Sequence, residues 1–113
     1  MAFHLRGIVV PDGEERDLYV VGDRITFEPL AHAETVVDGG WLLPGLVDVH
    51  THPGAEHPGD PLDAALLRRH GTQHRDAGVT LLRVPGSAAR LPAWFGQDDQ
   101  LPRVYGAGPW LAA

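Results

Sequence analysis

The chain has 113 residues, with 43% hydrophobic and 21% charged side chains, a size and balance that suit one folded domain and exclude the disordered and fibrous classes. Fifteen acidic residues against nine basic ones give a formal net charge of −6, which argues against nucleic acid or an anionic membrane as a partner, since both require clustered positive charge. Cysteine is absent, so no disulfide framework exists and any metal must be held by histidine and carboxylate. No basic-then-apolar leader and no apolar span of ~18 residues is legible, so the expected compartment is the cytoplasm.

In chain order, residues 3–10 are rich in β-branched and apolar side chains and stop at the turn signal Pro11-Asp12-Gly13. A second strand is expected at 17–21 and a third at 24–27, joined by Gly22-Asp23 as a two-residue hairpin. A fourth, at 34–38, ends before Gly39-Gly40. These segments predict a small antiparallel β unit over residues 1–43, too small to bury much apolar surface by itself.

The pattern then changes. Residues 46–51 form a nearly continuous apolar run, as in a parallel strand covered on both faces. After a Pro- and Gly-containing loop, 62–77 reads as a helix begun near Asp60 or Pro61, with Leu62, Ala65, Leu66 and Ala77 on its apolar stripe. Gly71 is a weak point within it and Gly78 a natural stop. A buried strand at 79–84 completes a βαβ unit. A short helical turn is expected around 91–95 and a last strand at 103–107. Trp41 and Trp110 read as core residues.

The chemically specific stretch is Pro44-Gly45-Leu46-Val47-Asp48-Val49-His50-Thr51-His52. In a strand, residues i and i+2 share a face, so His50 and His52 would point the same way and could close on one divalent metal with bonds of ~2.0–2.1 Å. Asp48 shares that face, as a partner orienting a ligand or as a satisfied buried acid. Arg83, near the end of the next strand, either contributes on the substrate side or is a charge reaching solvent or a carboxylate. His70 and His74 have the i, i+4 spacing of paired ligands but no accompanying Glu, and read as a solvated helix face. His4, His32 and His57 read as surface residues. No phosphate-loop pattern is present.

Taken together, residues 34–52 and the later Asp76-Ala77-Gly78-Val79-Thr80-Leu81-Leu82-Arg83 resemble the N-terminal portion of the amidohydrolase superfamily, close to its imidazolonepropionase-like and peptidase-like members. That resemblance implies an α/β fold. Residues 1–43 would belong to a composite β-sandwich, and 44–113 would supply the first two to three βα units of a (β/α)8 TIM-type barrel. It also implies that His50 and His52 are metal ligands, for zinc or another divalent ion, one or two in number. The activity implied is hydrolysis of carbon–nitrogen bonds other than peptide bonds, in amides or cyclic amides, by a metal-activated water.

The family's remaining ligands, a lysine or glutamate, two further histidines and an aspartate, have no counterpart, and the chain contains no lysine. No catalytic residue is therefore expected within these 113 residues. The reading is of an incomplete hydrolase acting on a small amide-type substrate. It would need a complementing C-terminal chain or self-association. The alternative is a non-catalytic remnant or assembly partner with weak metal binding.

Overall fold

The computed structural model describes residues 1–111 and divides at Pro44 into two units, residues 1–44 and 45–113. Both are built from strands, and the second adds helices, so the chain is mixed α/β.

The first unit is a four-stranded sheet. It comprises β1 (Ala2–Val9), β2 (Glu14–Val21), β3 (Arg24–Thr26) and β4 (Glu34–Leu42), in the order β3-β2-β1-β4. The Gly22-Asp23 hairpin forms as expected, with Val21 opposite Arg24. The sheet is not wholly antiparallel, however, because β4 lies parallel to β1. The register supplies the reason. Thr26, Tyr19, His4 and Thr35 lie on one line across the sheet, so β3 ends at the level where β4 begins. The connection over 27–33 needs only to cross three strand spacings of ~4.8 Å. Seven residues reach that far without a return along the strand.

Gly39-Gly40 does not end β4. Both glycines have positive φ, 112° and 79°, and they sit where the register shifts between Arg6 opposite Asp38 and Ile8 opposite Trp41. The pair is a bulge, with two residues facing Gly7. A Cβ on Gly7 would stand 2.8 Å from the Gly40 carbonyl oxygen and 3.0 Å from Leu42 Cγ. Gly7→Ala is therefore expected to destabilise the chain by about 1–3 kcal/mol, seen as a lowered midpoint in denaturant unfolding. Gly7 is also the one buried residue among the described residues of this unit. Its side chains hold together instead through a polar ladder: Arg6 pairs with Asp17 at 2.7 Å and Glu15 at 2.9 Å, and His4 bonds Asp17 at 2.8 Å. His4 also takes the Thr35 hydroxyl at 2.9 Å, so it is a cross-strand linker rather than a free surface residue. Trp41, expected in the core, is 66% exposed.

The second unit is a parallel sheet of β5 (Leu46–Asp48), β6 (Val79–Val84) and β7 (Arg103–Gly106), in the order β5-β6-β7. Helix α1 (Ala64–Asp76) joins β5 to β6, and the short α2 (Ala93–Gln97) joins β6 to β7. The Asp63 side chain caps α1 by accepting from the Leu66 amide at 2.8 Å, a role suited to Asp just before a helix. Gly78, at φ 89°, follows its end. Alternation along β6 sends Leu82 and Val84 inward, where they meet Leu67 of α1, Phe95 of α2 and Leu101. The buried positions of α1 are Leu67 and Gly71 rather than the expected stripe. Gly71 is needed there, since a Cβ would come within 3.1 Å of Phe95 and 3.2 Å of Leu101.

The opposite face of this sheet is open. Val47 is 51% exposed, Val49 62% and Tyr105 73%. β5 is therefore a short edge strand and not the doubly covered strand that its apolar run suggests. That run records a face needing cover that the described residues do not supply. Trp110, also expected in the core, is 49% exposed. No helix of the described residues is long and apolar enough to cross a membrane.

Candidate metal centre

The β5 ladder ends with Asp48 opposite Leu82, and Val49 and His50 form a bend. Strand alternation therefore does not extend to the two histidines. They converge all the same. His50 Nε2 and His52 Nε2 lie 3.2 Å apart, with ring centroids 5.1 Å apart and ring planes at 79°. Two imidazoles sharing one tetrahedral ion at ~2.0–2.1 Å would hold their nitrogens ~3.3 Å apart. The observed separation fits that chemistry, and it is equally that of a direct N–H···N hydrogen bond between the two rings.

The His52 ring is oriented from the loop after β6. Its Nδ1–H donates to the Gly86 carbonyl oxygen at 2.8 Å. A main-chain carbonyl only accepts, so this bond puts the proton on Nδ1 and leaves Nε2 as the accepting nitrogen, which faces His50 Nε2 at hydrogen-bond distance and is the atom that would ligate an ion. Gly86 contributes only its main chain, and no sequence signal marks such a partner. The Trp110 ring stands 5.7 Å from the His52 ring.

Asp48 does not touch either imidazole. One carboxylate oxygen accepts from the His50 amide at 3.1 Å and the other accepts from His74 Nε2 at 3.1 Å. His74 in turn donates from Nδ1 to the His70 carbonyl at 2.8 Å. Arg83 also serves the main chain: its guanidinium donates to the Val49 carbonyl at 3.2 Å, while its own carbonyl accepts from the Thr51 amide at 3.2 Å.

His70 and His74 are thus more than a solvated helix face. The His70 ring accepts the Gly54 amide at 3.1 Å through Nδ1, and the Gly54 carbonyl accepts from the Asp63 amide at 3.0 Å. The segment after His52 is held to α1 and its cap by these two bonds. Gly54 has φ 90°, and a Cβ there would lie 2.7 Å from Leu67, so only glycine suits this contact. The i, i+4 spacing of the two histidines was the legible signal, and what it joins was not.

Burial lowers the His70 pKa from its ordinary 6.5, and the neighbouring Arg69 and His74 act in the same direction. The unfolded chain then takes up this proton before the folded chain does. The His70 contribution to stability is present above about pH 6.5 and declines as pH falls through that value. His70→Asn keeps an acceptor near the Nδ1 position and cannot titrate. Denaturant unfolding between pH 7.5 and pH 5 is expected to show a shallower loss of stability in His70→Asn than in the wild type.

Among the described residues no group of three or more His, Cys, Asp or Glu side chains converges on one point. The site consists of the His50–His52 pair and the main-chain and side-chain bonds that fix it.

No family model matches the chain. Uncharacterized proteins of Mycobacterium tuberculosis and Mycobacterium bovis are 44% identical to it over 110 residues, 96% of this chain. The chain spans 29% of the length of these curated relatives. Among solved structures, it is similar to a Xaa-Pro dipeptidase with methionine bound in its active site. There the TM-score is 0.68 at 21% identity, over 98% of this chain and 34% of that one. A candidate prolidase from Bifidobacterium longum is similar with TM-score 0.68 at 23% identity, over 99% of this chain and 31% of that one. An uncharacterized protein matches with TM-score 0.69 at 22% identity, over 96% of this chain and 32% of that one. At such identities the likeness concerns the fold. The chain shares it with about a third of each of these larger chains.

Proposed function

We propose that this chain is the metal-ligating N-terminal part of a metal-dependent amidohydrolase, with β5, β6 and β7 as the first strands of a (β/α)8 barrel. His50 and His52 are the first two ligands of a divalent ion, zinc by its preference for imidazole. The observation that carries this reading is the 3.2 Å approach of their Nε2 atoms, with His52 Nδ1 turned to the Gly86 carbonyl. The position agrees with it, since barrel active sites lie at the C-terminal ends of the strands.

When bound, the ion would polarise a substrate carbonyl and ease deprotonation of water at neutral pH. The residues of this chain present two imidazoles, hold them together through the Val49–His50 bend, and turn the His52 Nδ1 toward the Gly86 carbonyl. They include no group assigned to shuttle a proton, which a hydrolase also needs, so the chemistry would be completed by residues outside this stretch. The substrate class is an amide C–N bond. The likeness to a Xaa-Pro dipeptidase widens the range to assay to peptide-type bonds.

A second reading is favoured by one observation. The open sheet face with Val47, Val49 and Tyr105, flanked by the edges of β5 and β7, suits an assembly partner that adds strands. Both readings are tested by exchanging the matched 110 residues of the Mycobacterium tuberculosis relative for this chain. The exchanged protein is expected to take up zinc and to hydrolyse amides or Xaa-Pro dipeptides. Zinc uptake without hydrolysis would favour the assembly reading, and a folded chimera without zinc would sink the metal reading.

A further inference from the structure

We propose that His74, on the last turn of α1, is a positioning residue for the metal-ligating pair: acting through Asp48, it holds the bend that brings His50 to His52. The inference rests on the metal reading of that pair and assigns a residue outside it.

The main chain from Val49 to His52 needs holding. β5 has three residues and one strand neighbour, and its ladder ends at Asp48. Past that point the strand twist no longer dictates direction. Three bonds take over: the Arg83 guanidinium on the Val49 carbonyl, the Thr51 amide on the Arg83 carbonyl, and the Asp48 carboxylate on the His50 amide. The third of these is the one at His50 itself.

A carboxylate with one engaged oxygen can still turn about its own bonds. Here the second oxygen meets His74 Nε2 at 3.1 Å, which fixes the plane of the group. The His74 ring is itself fixed by its Nδ1 bond to the His70 carbonyl at 2.8 Å. The side chains of His74 and Asp48 are 20% and 34% exposed, so solvent only partly competes for the contact. A continuous path therefore runs from a helix carbonyl through His74 and Asp48 to the amide of His50. Removing its middle member frees Asp48 and lets the bend relax, which separates the two Nε2 atoms.

The test measures zinc affinity by competition with a chromophoric chelator, in the full 113-residue chain, together with the unfolding midpoint. His74→Leu, which cannot donate, is expected to bind zinc about tenfold more weakly, in the range seen for groups that orient metal ligands. His74→Gln can present an amide N–H near the position of Nε2 and is expected to stay within about threefold of the wild type. A merely structural role for His74 would not be rescued by glutamine. Should His74→Leu fail to fold, Asp48→Ala provides the second route, with a similar expected loss, because it leaves neither the His50 amide nor His74 an acceptor. Zinc affinity unchanged in His74→Leu, or glutamine as weak as leucine, overturns the proposal. If the wild type itself takes up no zinc, the metal reading fails first and carries this one with it; wild-type binding with an unaltered leucine variant removes this inference alone.

Discussion

The His50→Ala/His52→Ala chain is expected to lose more than about a hundredfold in zinc affinity, since even groups that only orient ligands are worth 10- to 100-fold. Three of the remaining histidines are engaged elsewhere. His70 and His74 have nitrogens engaged by the Gly54 amide, the His70 carbonyl and Asp48, and His4 bridges Thr35 and Asp17 in the other unit. A single His50→Ala change leaves one imidazole and should cost nearly as much, because one nitrogen donor competes poorly with water. Both side chains are exposed, so neither substitution should lower the stability by more than about 0.5 kcal/mol. Competition with a chelator and thermal unfolding on the same samples separate these effects. Affinity unchanged in the double variant would mean that the 3.2 Å approach of the two rings does not mark a metal site.

The largest expected effect on stability is that of Phe95→Ala, about 3–5 kcal/mol. Phe95 is 0% exposed and joins Leu67, Leu82, Val84 and Leu101 in one cluster, reaching α1 at Gly71. A unit of roughly 70 residues has a total stability of only ~4–10 kcal/mol. The substitution thus removes a large part of what holds α1 and α2 on the sheet. Near-UV circular dichroism and denaturant unfolding should show either a large fall in midpoint or loss of cooperativity in the second unit. Phe95→Leu, which refills most of the volume, is expected to cost only about 1–2 kcal/mol. An alanine variant within 1 kcal/mol of the wild type would show that this cluster is not the core.

Much of the order of elements was legible locally. The Gly22-Asp23 hairpin and the positions of α1 and β6 follow from turn chemistry and periodicity, which act over a few residues. The histidine pair was legible for the same reason, because its two members are neighbours in sequence. The parallel seating of β4, the bulge at Gly39-Gly40 and the length of β5 were not. Each depends on which distant strand lies alongside, and pairing across thirty residues leaves no mark in local pattern. The apolar run 46–51 is a case in point: its composition asks for cover on both faces, but where the described chain offers none, Val47 and Val49 remain in the open.

The sequence by itself determined that two imidazoles stand one residue apart after a Pro-Gly turn, and that any metal here must take nitrogen and oxygen ligands. Only the tertiary structure decided how those imidazoles meet. They converge through a bend after a truncated strand and not through the pleat of a continuing one. The bend is held by Asp48 to His74 on α1, and the ring of His52 by a carbonyl 34 residues away in sequence. Bonds of that kind join a main-chain atom or a helix face to a loop, and only folding determines which of many equivalent carbonyls comes within reach.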